Sequence, residues 1–87
     1  MEFVVSTFIE DGEGTLELSL DGEVILRNSG KVSMKLNKGF HKVSWFVKGK
    51  IGTSYTISIS SPSEAAFHLS KVITENEFET NLTTFKI

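Results

Sequence analysis

Apolar and polar residues alternate along most of the chain, which is the pattern of β-strands that bury one face. The clearest alternating segments surround Leu18, Val32, Trp45 and Ile57. Turn residues such as Asp21-Gly22 separate these segments at short intervals. The pattern predicts strands close to residues 2–9, 14–20, 23–27, 31–36, 40–48, 53–60, 67–74 and 80–87.

Short strands joined by tight turns predict an all-β fold. We expect a small antiparallel β-sandwich of about 7–8 strands, immunoglobulin-like or jelly-roll-like, with residues 1–87 as a single domain. The tight turns favour a meander order of strands, and a small closed barrel is the competing architecture. The expected core includes Leu18, Val32, Trp45, Tyr55 and Ile57.

Residues 61–73 fit two structures. Ser61-Pro62-Ser63-Glu64 has the form of a helix capping box with proline at the first helical position. Val72, Ile73 and Thr74 are β-branched and favour a strand. We predict a strand from Phe67 onward, with any short helical turn confined to residues 62–66.

The turn at Asp21-Gly22 can be assigned a length from the apolar face of its two strands. A three-residue loop places Val24 opposite Leu18 and Leu26 opposite Leu16, which keeps one face apolar. A two-residue turn would set the same residues against polar ones. We therefore predict the three-residue loop.

The same test predicts that residues 31–48 form a hairpin with a four-residue loop at 37–40. In this register Lys35 lies directly opposite Lys42, on the same face as Phe46. Opposed like charges are unfavourable unless a carboxylate or a ligand lies between them.

Charge is segregated along the chain, although the formal net charge is only −2. Residues 1–23 contain seven acids and no base, residues 24–63 contain seven bases and no acid, and residues 64–87 carry a net charge of −2. In the structural interpretation the acidic strands lie beside the basic hairpin and pair with it, at about 0.2–1 kcal/mol per exposed pair. In the functional interpretation the surface is bipolar and contacts an anionic partner or a second copy.

The candidate ligand-binding residues are Lys35, Lys42, Phe46 and Lys48. Phe46 is apolar on a strand face that otherwise carries Lys42, Ser44 and Lys48. An exposed aromatic ring among lysines can stack on a sugar or a base, or anchor a protein partner. If both faces of this strand are covered, Phe46 is instead an ordinary packing residue.

Several kinds of chemistry are not expected. The chain has no cysteine, which removes disulfides, thiolate metal sites and a cysteine nucleophile. His41 and His68 lie in no catalytic motif. Acidic turns near 10–13 and 75–79 suggest calcium, but lysines expected at the same end favour a rim of mixed charge. We predict no enzyme activity, no cofactor and no metal.

We expect a non-catalytic protein-interaction or structural module that acts through a sheet face or edge. The alternative is a carbohydrate-binding module that uses exposed aromatics and some of its 19 serine and threonine hydroxyls. A protein partner or self-association is expected, and nucleic acid is not, because the net charge is negative. No apolar run approaches the ~18 residues of a membrane span, so membrane insertion is not expected. The N-terminus does not have the pattern of a signal peptide, which predicts a cytoplasmic protein or an excised domain of an exported one.

Overall fold

A computed structural model of the protein describes residues 1–10, 14–74 and 78–87. These residues form eight strands and one short 3₁₀ helix, and every strand end lies within two residues of its predicted position. The elements are β1 (Glu2–Ile9), β2 (Gly14–Leu20), β3 (Glu23–Arg27), β4 (Gly30–Lys35), β5 (Phe40–Gly49), β6 (Ser54–Ser61), the 3₁₀ helix (Ser63–Ala65), β7 (Phe67–Val72) and β8 (Phe78–Lys86).

Two four-stranded antiparallel sheets pack together, which confirms the all-β sandwich. The first sheet has the order β4-β1-β6-β7, and the second has the order β3-β2-β5-β8. The predicted meander is wrong. Of the consecutive strands described, β2–β3 and β6–β7 are neighbours within a sheet, and the others lie in different sheets. The order also departs from the constant-type immunoglobulin order, in which the first two strands share a sheet.

The inward faces of the two sheets form one hydrophobic core. Leu18, Trp45, Tyr55 and Ile57 are buried, as predicted. Val32 is only half-buried, because β4 is an edge strand of the first sheet and has a neighbour on one side alone. The largest fully buried side chains are Tyr55, Phe3, Leu16, Leu18, Ile57, Ile73, Val5, Val43 and Val47.

The predicted hairpin at residues 31–48 does not form. β4 pairs with β1, so Lys35 lies opposite Glu2, whereas β5 pairs with β2 and β8 and sets Lys42 opposite Thr84. The connection between β4 and β5 carries the chain from one sheet to the other. Either arrangement keeps the apolar residues of each strand on a buried face, so alternation alone does not distinguish them.

The prediction of a three-residue loop before β3 is also wrong. Asp21 and Gly22 form a two-residue turn with φ of 51° and 88°, the positive values of a type I′ hairpin turn. Val24 therefore lies opposite Ser19, and a β-bulge then shifts the register so that Leu26 lies opposite Leu18. The bulge returns Leu26 to the apolar face that the longer loop was expected to provide.

Residues 61–73 are arranged as predicted, with a helical turn before a strand. The 3₁₀ helix spans Ser63–Ala65, and β7 begins at Phe67. The capping box does not form: the Ser61 hydroxyl donates to the carbonyl of Glu2 at 3.0 Å instead of capping the helix. Within the described ranges, no helix has the length and apolar character needed to cross a membrane.

Candidate functional site

β5 brings together three of the four residues predicted to bind a ligand. Lys42, Phe46 and Lys48 alternate with the buried residues of the strand, so they project outward from the second sheet and are exposed. Lys35 projects from the first sheet, which forms the other side of the sandwich. The predicted opposition of Lys35 and Lys42 is therefore wrong. Phe46 is exposed, which is one of the two alternatives that the sequence left open.

An exposed apolar patch surrounds Phe46. Phe78 and Leu82 of β8 project on the same side, because they lie opposite Lys48 and Ser44 in the register. The Phe46 and Phe78 rings stack, with centroids 5.9 Å apart and planes 18° from parallel. Phe46 is 42% exposed, and Phe78 and Leu82 are each 52% exposed. These three residues form the aromatic patch, a cluster of the kind that marks interaction surfaces.

Basic side chains lie along the same face of the sheet as the aromatic patch. Lys42 and Lys48 flank Phe46 along β5, and the Lys86 ammonium lies 5.3 Å from the centroid of the Phe40 ring at the far end of the sheet. Three lysines therefore accompany the patch on this surface. We name the aromatic patch together with Lys42, Lys48 and Lys86 the basic-aromatic face.

Two acids among the described residues lie on or beside this face: Glu17, and Asp21, whose carboxylate accepts a hydrogen bond from the backbone amide of Lys42 at 2.8 Å. Glu17 lies opposite Phe46 on β2, and its carboxylate forms an ion pair with Arg27 of β3. Among the described residues, the ammonium groups of Lys42, Lys48 and Lys86 form no ion pair, so the face keeps positive charge. A surface that is locally positive within a chain of net charge −2 favours an anionic partner.

A second feature, which sequence analysis did not identify, lies along the free edge of β8, the edge that does not pair with β5. The edge strands of the two sheets meet differently at the two lateral edges of the sandwich. At one edge β3 and β4 contact each other, whereas at the other an open groove of about 520 Å³ lies between β7 and β8. Trp45 and Tyr55 of the core line it, together with residues of both edge strands. Phe78 and Leu82 belong to the aromatic patch and also line the groove, so the two features adjoin.

Tyr55, Glu79 and Lys71 form a polar cluster in the groove. The Tyr55 hydroxyl donates a hydrogen bond to Oε1 of Glu79, and the Lys71 ammonium lies 3.6 Å from the same oxygen. Burial raises the pKa of the Tyr55 phenol far above its usual value, and the bond to Glu79 adds to this shift. Tyr55 is therefore a protonated donor throughout the physiological range.

Glu79 was missed because the last strand was predicted to begin at residue 80. It begins at Phe78, and Glu79 then faces inward opposite Val47. Asn81 takes the next inward position, opposite Trp45. The alternation of Phe78, Thr80 and Leu82 with these two polar residues was the available signal.

A polar cluster at the Asp21-Gly22 turn explains the position of His41. Nδ1 of His41 lies 2.7 Å from the Asp21 carboxylate, and Nε2 lies 2.8 Å from the carbonyl oxygen of Asn37. The bonds to Asn37 and to Asp21 raise the pKa of His41. The bonds from His41 and from the Lys42 amide lower the pKa of Asp21. Both ring nitrogens face acceptors, so the cluster favours the charged imidazolium.

No group of three or more histidine, aspartate or glutamate side chains within residues 1–10, 14–74 and 78–87 could hold a metal ion. The acidic turns that suggested calcium fall largely on residues 11–13 and 75–77, which lie outside the described residues. A scan against protein-family models and searches of curated proteins and of solved structures found no match to this chain.

Proposed function

We propose that this chain is a non-catalytic protein-interaction module that binds an acidic partner through the basic-aromatic face. The observation that carries the proposal is the aromatic patch, in which three apolar side chains on adjacent strands are each more than 40% exposed. Aromatic side chains dominate the binding energy of many interfaces, because their burial removes a large apolar area from water. The patch supplies such anchors on a rigid sheet.

The lysines around the patch determine which partner fits. Positive charge at the rim of an interface steers acidic partners and disfavours basic ones. A second copy in a two-fold symmetric contact would bring two faces of the same positive charge together. We therefore propose a different protein, with acidic residues around an apolar anchor, and not a homodimer formed through this face.

Neutralising the face should weaken binding of an acidic, aromatic probe. We expect a fluorescent peptide of alternating glutamate and tyrosine to bind the protein, and added salt to weaken binding as it shortens the screening length to about 8 Å or less. The double substitution Lys42→Gln/Lys48→Gln should reduce affinity by about 10-fold, measured by fluorescence anisotropy.

The matched control for this experiment is Lys31→Gln/Lys35→Gln, on the other side of the sandwich. Each double variant removes two positive charges and changes the formal net charge from −2 to −4. If both weaken binding equally, overall charge and not this face attracts the peptide. If the wild-type protein does not bind it at all, an acidic partner at this face is excluded.

Removing the central aromatic ring should have a larger effect than removing charge. Phe46→Ala is expected to weaken peptide binding by about 30-fold, the loss that corresponds to an interface hot spot of ~2 kcal/mol. Phe8→Ala is the matched control, because Phe8 is 52% exposed on β1 of the first sheet. Equal affinities of the two variants, measured in the same anisotropy assay, would contradict the proposed anchor.

A further inference from the structure

The groove between β7 and β8 carries polar side chains on the inward side of β8, where Glu79 is half-buried and Asn81 is exposed. Glu79 and Asn81 occupy consecutive inward-facing positions of β8, opposite Val47 and Trp45. An inward-pointing charge on an edge strand discourages edge-to-edge aggregation. Here a carboxylate, an ammonium and an amide line one cavity together with aromatic rings. We propose that this groove binds a neutral saccharide.

The charges of the groove favour a neutral ligand. The Lys71 ammonium lies 3.6 Å from Oε1 of Glu79, so the two charges offset each other. An anionic ligand would approach the Glu79 carboxylate, and a cationic one would approach Lys71. A ligand without charge avoids both repulsions and still finds strong hydrogen-bonding groups.

The hydrogen-bonding groups of the groove match sugar hydroxyls, which both donate and accept. The contacts of Glu79 among the described residues involve Oε1, which leaves Oε2 as an acceptor. The Asn81 side chain accepts a bond from the Leu82 amide through Oδ1 at 2.9 Å, which directs its amide nitrogen elsewhere as a donor. A carboxylate and an amide two residues apart can bind neighbouring hydroxyls of one ring.

The apolar part of the groove complements the C–H face of a sugar ring. Phe67 and Leu69 of β7 are half-buried and line the groove opposite β8. The Phe67 ring packs on the core ring of Trp45, with centroids 5.6 Å apart, which holds it in place. A volume of about 520 Å³ is within the ~300–1,000 Å³ of typical small-molecule sites, which also combine aromatic walls with a few polar groups.

The groove provides its own spectroscopic probe, because Trp45 lines it and is the single tryptophan of the chain. The experiment titrates the protein with a panel of neutral mono- and oligosaccharides built from glucose, galactose, mannose and xylose, and follows tryptophan emission. We expect a saturable change with at least one of them. Asn81→Ala should weaken this binding by about 5–10-fold, the effect of losing one good hydrogen bond.

The matched control is Thr84→Ala, which lies on the outward side of the same strand and should bind like the wild-type protein. Phe46→Ala should also bind normally, so failure of the proposed protein interface and failure of the saccharide site are separate results. The inference is overturned if no neutral saccharide changes the emission, if only charged saccharides do, or if Asn81→Ala binds as tightly as Thr84→Ala. Circular dichroism of each variant establishes that it is folded.

Discussion

Leu18→Ala is expected to lower the free energy of unfolding by about 2–5 kcal/mol. Leu18 is fully buried in β2 and lies opposite Leu26 of β3 and Trp45 of β5, so the substitution opens a cavity inside the second sheet. A small domain has a total stability of about 5–15 kcal/mol. The variant should therefore unfold at a much lower denaturant concentration, measured by urea titration with circular dichroism and tryptophan emission.

Leu82→Ala is the matched control, because it makes the same chemical change at a side chain that is half exposed on β8. It should change stability by less than about 1 kcal/mol, since little apolar surface returns to water. If the two variants lose equal stability, Leu18 does not lie in the core of the sandwich.

Sequence pattern predicted the strands closely because alternation is a local property. A buried face requires an apolar residue at every second position, whichever strand lies beside it. That is why β2 and β3 have the predicted bounds.

The same locality explains the errors in strand pairing. Lys35 and Lys42 were expected to face each other because 31–36 and 40–48 are neighbours in sequence. In the structure β4 packs its apolar face on the core from the first sheet, and β5 packs its apolar face on the core from the second. Alternation does not indicate which sheet a strand joins. A connection between the two sheets therefore has the same sequence pattern as a hairpin.

The acidic strands lie beside the basic segment, as the structural interpretation predicted, since β1 pairs with β4 and β2 pairs with β5, but the ion pairs differ from those expected. The acidic β1 does lie beside a basic strand, with Glu2 opposite Lys35, and Glu17 pairs with Arg27 of β3. The carboxylate that contacts β5 near Lys42 is Asp21, which accepts a hydrogen bond from the Lys42 amide at 2.8 Å. Contacts between neighbouring strands within each sheet therefore offset part of the segregated charge.

Stability should depend on pH through His41 and Asp21, with a maximum in mildly acidic solution. The folded protein raises the pKa of His41 above 6.5, so its contribution is complete below pH 6.5 and is lost as the pH rises through the folded pKa. It lowers the pKa of Asp21 below 3.8, so that contribution is complete above pH 3.8 and is lost as the pH falls through the folded pKa. We expect the highest Tm between about pH 4 and 6.5, and a decline of a few degrees by pH 8.5.

Two substitutions separate the sources of this pH dependence. His41→Gln removes the titrating ring and should flatten the fall in Tm between pH 5.5 and 8.5. Asp21→Asn should flatten it only in part, because the carbonyl of Asn37, the largest cause of the raised His41 pKa, remains. His68→Gln is the control, since His68 lies exposed on β7 and its loss should leave the fall unchanged. A Tm that rises steadily from pH 5.5 to 8.5 in the wild-type protein would contradict this prediction. It would show that the His41 imidazolium, with its contacts to Asp21 and Asn37, does not stabilise the turn.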